Sequence, residues 1–223
     1  MLRIQKQTDA RMNRIDPAQP PYDPDTQAAF DAITPPGQTP LLLFRTIAVS
    51  RRIYQRFRAG GLLDRGALSL RQREIVILRL CGLQRCEYEW GVHVAVFAKK
   101  AGFTPEQLAA TVDGRTADWS ADEAILLAAC EQLDRTTRLD DDTWLHLRAQ
   151  FDEQQILETI ALVGFYRTVC LYANGLRLPL ESFAARFPTG CGGDGQSEPS
   201  TAPGPGSQRH WPGLRSSGSA STP

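Results

Sequence analysis

Residues 86–102 read "CEYEWGVHVAVFAKKAG". Apolar residues recur in this stretch at helical spacing. It closes on Lys99, Lys100 and Gly102, the basic and small residues that suit a helix C-terminus. A single helix is therefore expected. At about 100° per residue, Cys86, Glu89 and His93 fall within roughly 60° of one another, and Trp90 and Phe97 border that sector. An apolar helix thus carries a thiol, a carboxylate and an imidazole on one side. That arrangement points to a buried polar pocket.

A carboxylate four residues before an imidazole can accept its N–H, fixing the tautomer and raising the pKa of the ring. Glu89 and His93 have that spacing; an exposed ion pair on the helix surface is the plainer alternative. Cys86 falls in the first turn, where the helix N-terminus favours a thiolate, while Glu87 and Glu89 oppose ionisation. It can equally be read as a small packing residue. One helix earlier, Glu74 stands among Leu70, Ile77, Leu78 and Cys81 on the apolar face of "LRQREIVILRLCGL". A carboxylate buried there needs a partner or a proton. His93 on an antiparallel neighbour can supply the partner, unless Glu74 turns outward to water. The candidate catalytic residues are therefore His93, Glu89, Glu74 and Cys86. A Glu-x-x-x-His pair can also ligate metal, but with only His93 and His146 in the folded part no metal site is expected, and no cofactor either.

Outward from this stretch, the local signals are helical. Ser69 with Gln72 reads as a capping box opening residues 70–83, with the end near Gly82. Thr104, Pro105 and Gln107 supply a cap, an N1 proline and a box partner for the next helix. Asp113-Gly114 marks a turn. Ser120 with Glu123 opens another helix, the "DDDT" run opens "TWLHLRAQF", and Asp152 with Gln155 opens "EQQILETIALVGFYRTVCLYAN", closed at Asn174-Gly175. That last helix is apolar nearly all round, so burial by the rest of the domain or by another subunit is expected. "TPLLLFRTIAVSRRIYQRFRAGG" reads as a further helix stopping at Gly60-Gly61. No alternating strand pattern is found, and the expected fold is all-α.

Three regions follow. Residues 1–40 are polar and broken by prolines, an arm or loose lead-in with a short helix at 26–33. Residues 41–186 form the helical domain. Residues 187–223 are rich in Gly, Pro, Ser and Thr, a composition that cannot bury enough apolar surface to offset ordering, so a disordered tail is expected.

The whole chain has 223 residues, 42% hydrophobic and 22% charged, enough for one domain with a sizeable core. Its 25 basic and 25 acidic side chains cancel, without the basic excess of a nucleic-acid binder. The N-terminus lacks the apolar run of a secretory signal, and no stretch approaches the ~20 apolar residues of a membrane span. Five irregularly spaced cysteines fit free thiols better than a disulfide framework. A cytoplasmic protein acting on a small molecule, without nucleic-acid or membrane partners, is expected.

The segment "LRQREIVILRLCGLQRCEYEWGVHVAVFAKKAGFTPEQL", with the later "DEQQILETIALVGFYRTVCLYANGLRLPLE", resembles the carboxymuconolactone decarboxylase and alkyl hydroperoxidase D-like family. With the helix from Leu41, the resemblance spans about residues 41–186. It implies a compact helical bundle assembled as homo-oligomers, commonly trimers or multiples of them, with the active site in a helical pocket near subunit contacts. The hydroperoxidase branch uses a glutamate, a Cys-x-x-Cys pair and a histidine four residues past the second cysteine. Those positions fall on Glu74, Cys86 and His93, but the second cysteine falls on Glu89. A disulfide cycle needs two neighbouring thiols. Cys86 would have to be oxidised to a sulfenic acid and resolved by Cys81 or an external thiol.

The decarboxylase branch needs a group to hold the carboxylate and an acid to protonate the carbanion-like centre, without a cofactor. His93 with Glu89 or Glu74 suits the second task, and Arg71, Arg73 or Arg79 the first. The "CEYEW" form departs from that expected of the dedicated lactone decarboxylase. Three readings result: a cofactor-independent lyase or isomerase on a small carboxylated or lactone substrate, a thiol-dependent peroxidase using Cys86, or a non-catalytic ligand-binding oligomer.

Overall fold

The computed structural model describes residues 13–115 and 117–189. Among these the secondary structure is helical, and the molecule is an all-α bundle. In chain order the helices are α1 (Pro24–Ile33), α2 (Leu42–Ile47), α3 (Arg51–Ala59), α4 (Leu70–Leu83), α5 (Glu87–His93), α6 (Lys99–Ala101), α7 (Pro105–Asp113), α8 (Ala121–Thr136), α9 (Asp141–Gln150) and α10 (Glu153–Gly175). A π-helical turn, Val94–Ala98, joins α5 to α6.

Local chemistry sets most of the boundaries. The boxes Ser69/Gln72, Thr104/Gln107, Ser120/Glu123 and Asp152/Gln155 all form, each satisfying backbone donors that a helix start leaves open. Asp140 caps α9 through the Thr143 amide. Gly102 and Gly114 end their helices in the left-handed conformation, at φ +73° and +74°. Helices α4 and α10 end at Leu83 and Gly175, as expected, but the left-handed residues that follow are Arg85 and Arg177 rather than glycine.

The expected helix through residues 41–59 is two helices. Thr46 Oγ1 donates to the Leu42 carbonyl at 2.8 Å, a back-bond that bends helices. The amides of Val49 and Ser50 then donate three residues back, to Thr46 and Ile47, and Ser50 restarts the chain as the N-cap of α3. The break leaves α2 and α3 on two sides of one cavity.

Helix α4 is the centre of the bundle, packed against α5, α7, α8 and α10. Ile75, Val76, Ile77, Leu78, Leu80 and Cys81 are all fully buried. Within the single chain, burial on all sides belongs to α4, while α10 is buried along one side. On α10, Ile156, Leu162, Val163, Tyr166, Val169 and Cys170 face the core, while Leu157, Ile160 and Leu171 stay open. By length and hydropathy the 23 residues of α10 would suffice to cross a membrane, contrary to the sequence expectation. In the fold, its buried side packs on α4, α5 and α8. Backbones approach closely where α4 meets α7: a Cβ on Gly82 would lie 2.1 Å from the Thr111 carbonyl oxygen.

The lead-in is more than an arm. Asp23 caps α1, and Phe30 is buried against Tyr22 and Tyr54. At the other end, Glu181 accepts from the Tyr88 hydroxyl and from the Leu42 amide, satisfying the start of α2. Phe187 stacks edge-on against Trp90 and donates its amide to Glu87. The chain is thus strapped across α5 up to Phe187. From residue 190 onward the expected disordered tail lies outside the described residues.

Candidate functional site

A cavity of about 510 Å³ opens between α1, α2, α3, α5 with its π-turn, and α10. Leu43, Phe44, Phe57, Val92, Phe97 and Phe165 make most of its wall apolar. Its polar lining is Glu89, His93 and Tyr166 in the interior, with exposed Arg58 and Asp64 at the rim. A volume and composition of this kind suit a small, mostly apolar molecule held by a few polar groups.

His93 is the hub. Its Nδ1 lies 2.7 Å from Glu74 Oε2, and its Nε2 lies 3.3 Å from Glu89 Oε1. Both ring nitrogens thus face carboxylates, the environment of an imidazolium. Burial works to lower the pKa of this histidine, but the charges and hydrogen bonds of Glu74 and Glu89 outweigh it and push it up to about 9. Phe97 and Tyr166 close on the ring at 5.2 Å each. Phe97 sits in the π-turn, and such turns are frequent at functional sites.

Glu74, fully buried, is held from two sides. The Arg73 guanidinium donates to its Oε1 through Nε and Nη2, at 3.2 and 3.1 Å, while His93 takes Oε2. Arg73 also donates to the Leu63 carbonyl at 2.9 Å and stands 5.4 Å from the Phe97 ring centroid. Two acids and two bases therefore balance inside the bundle, which is what permits buried charge.

The structure brings Glu74, Glu89 and His93 together and sets Cys86 apart. Cys86 is the N-cap of α5, fully buried, and absent from the cavity wall. Helical spacing predicts a shared face because it extends α5 backward, but Cys86 has already left helical geometry, with ψ +78°. Its thiol turns to Cys170, whose Sγ is 3.9 Å from Cys81 Sγ. The bond to Cys170 and burial push the Cys86 thiol far above the ordinary range, and burial pushes the Cys81 thiol up to about 12. Desolvation outweighs the helix N-terminus here.

The three arginines expected to hold a carboxylate are engaged elsewhere. Arg71 bonds Glu123, Gln107 and the carbonyls of Ala101 and Gly102. Arg73 holds Glu74, and Arg79 bonds Glu131 and the Thr111 carbonyl. Sequence reasoning missed Arg73 as the second partner of Glu74, since neighbours in a helix do not normally face each other. It also missed Tyr166 on the cavity wall; a tyrosine inside an apolar helix was the available signal.

Residues 50–134 match the model of the carboxymuconolactone decarboxylase family. Comparison with the curated proteins gives no significant sequence match. Among solved structures, the chain is similar to an uncharacterized peroxidase-related protein from Silicibacter sp. TM1040, at TM-score 0.68 and 18% identity over 83% of this chain and 100% of that one. It is also similar to the debrominase Bmp8, at TM-score 0.61 and 15% identity over 77% of this chain and 95% of that one. A cysteine-to-alanine variant of Bmp8 in complex with 2,3,4-tribromopyrrole gives TM-score 0.61 and 13% identity, over 76% of this chain and 92% of the other. At these identities the structural likenesses speak for the fold alone, which they share with this bundle. The match over residues 50–134 covers α4, α5 and the Glu74–Glu89–His93 cluster, so the segment that carries the site is similar to the carboxymuconolactone decarboxylase family.

Proposed function

We propose that the chain is a cofactor-independent acid–base enzyme acting on a small molecule in the α2–α3–α5–α10 cavity, through a lyase or isomerase step such as decarboxylation. The observation that carries this reading is His93, buried, with Nε2 directed to Glu89 on the cavity wall and Nδ1 anchored on Glu74. His93 acts as the acid, Glu89 as the base and Glu74 as the positioning residue. In the isomerase form, Glu89 takes a proton from the substrate and His93 Nε2 gives one to it. The proton on Glu89 then passes to His93, 3.3 Å away, and the pair is reset.

The thiol-peroxidase reading has less support: Cys86 does not reach the cavity, its thiol holds its proton strongly, and Glu89 stands where a second cysteine would be needed. Substrate profiling with His93→Ala and Cys86→Ser tests the choice. Turnover lost in the first variant and largely retained in the second supports acid–base chemistry. Equal loss in both defeats it.

Self-association, as trimers or multiples of them, belongs to the same proposal. Leu157 and Leu171, each 66% exposed, lie with Ile160 on the open side of α10, an apolar surface of the kind that subunit contacts cover.

A further inference from the structure

Glu89 is 7% exposed, and its Oε2 is fully buried without a hydrogen-bond partner, whereas Oε1 is taken by His93. Buried carboxylate oxygens are rarely left open, because each forfeits its hydration. Glu89 belongs to the cavity wall, so a turn of its carboxylate brings the unpaired acceptor to whatever enters. We infer that the substrate is a neutral, largely apolar, ring-sized molecule that presents one O–H or N–H donor to Glu89 Oε2. This rests on the cavity being the site proposed above, and it narrows that proposal away from carboxylated substrates, and so from decarboxylation, to its isomerase form.

Three features support the assignment. An anionic carboxylate offers no hydrogen to Oε2 and would face a negative group at close range. The arginines of α4 that could have compensated are bonded to Glu123, Glu74 and Glu131. Arg58, the arginine on the cavity wall, is exposed to solvent, which screens its charge. The remaining wall supplies Phe44, Phe57, Phe97 and Phe165, surfaces that favour an aromatic or otherwise flat apolar body. A donor hydrogen-bonded to Glu89 is also next to the base that would remove it, so recognition and reaction use the same contact.

Calorimetric titration of the full-length protein with 2-naphthol, 2-methoxynaphthalene and 2-naphthoate tests the inference. The three share a ring system and differ in having a neutral donor, no donor, or a negative charge. The wild-type protein is expected to bind the naphthol at least about tenfold more tightly than the ether, a charge-assisted hydrogen bond's worth, and the naphthoate most weakly. Glu89→Leu, which removes the acceptor, should bring naphthol and ether to within about threefold. His93 Nε2, which loses its partner in that variant, should then improve naphthoate binding. If Glu89→Leu fails to fold, Glu89→Gln should reduce the naphthol preference in the same direction. Equal binding of naphthol and ether by the wild type, a preference for naphthoate, no binding of any probe, or a naphthol preference that survives in the variants would overturn the inference. These readouts need no turnover. The donor preference without any reaction would sink the enzymatic proposal alone, while His93-dependent turnover without the preference would sink this one alone.

Discussion

His93 Nδ1 and Glu74 Oε2 meet at 2.7 Å across the packed pair α4 and α5, although 19 residues separate them in the chain. The contact fixes the orientation of the ring, and with it the direction of Nε2 toward the cavity. Glu74→Gln removes the charge and keeps the shape. The His93 pKa should then fall by roughly one to three units, because burial is opposed by one carboxylate fewer. Titration followed by NMR of the imidazole checks this, and an unmoved pKa would show that Glu74 does not set it. The same variant should lose stability on the order of 3–5 kcal/mol in denaturant unfolding, since Arg73 is left buried without its counter-charge.

The pH dependence has a definite sign. His93 is held at about 9 in the fold against an ordinary 6.5. The folded state therefore binds the extra proton between those values, and its ion pairs stabilise the protein fully below about pH 6.5. That contribution fades as pH climbs toward 9. If imidazolium is the acid, turnover should follow the same alkaline limb. A melting temperature flat from pH 6.5 to 9.5 in the wild type would contradict the assignment; His93→Gln should flatten it.

The thiol cluster of Cys81, Cys86 and Cys170 should be inert in the native state. All three are buried and their pKa values are raised. Iodoacetamide at pH 8, followed by peptide mass mapping, should leave these three unmodified until the chain is unfolded. Rapid labelling of native Cys86 would restore it as a candidate nucleophile.

Close helix contact makes Gly82 intolerant of any side chain. Gly82→Ala puts a methyl group 2.1 Å from the Thr111 carbonyl oxygen, and the resulting overpacking should cost about 1–3 kcal/mol in denaturant unfolding. Since Thr111 also accepts the Trp90 indole N–H at 2.9 Å, a displaced α7 should disturb α5 as well, visible as a shift in tryptophan emission.

The open face of α10 can be probed by charge. Leu157→Glu combined with Leu171→Glu should lower the particle mass in light scattering toward that of a monomer, while leaving the helical circular dichroism intact. An unchanged mass places the contact elsewhere.

Helix caps, helix ends and the all-α class were legible in the chain, because they depend on residues three or four positions apart: Ser69 with Gln72, Thr104 with Gln107, Asp152 with Gln155. The Glu89–His93 pair was legible for the same reason, and Glu74 because a carboxylate on an apolar face demands a partner. Tertiary structure alone decided which way each side chain was used. It turned Cys86 toward Cys170 and gave Arg73 to Glu74. It also made α4 the helix that the single chain buries on all sides. The physical reason is that periodicity reports which residues share a face, whereas desolvation and the contest for partners depend on what the other helices bring to that face.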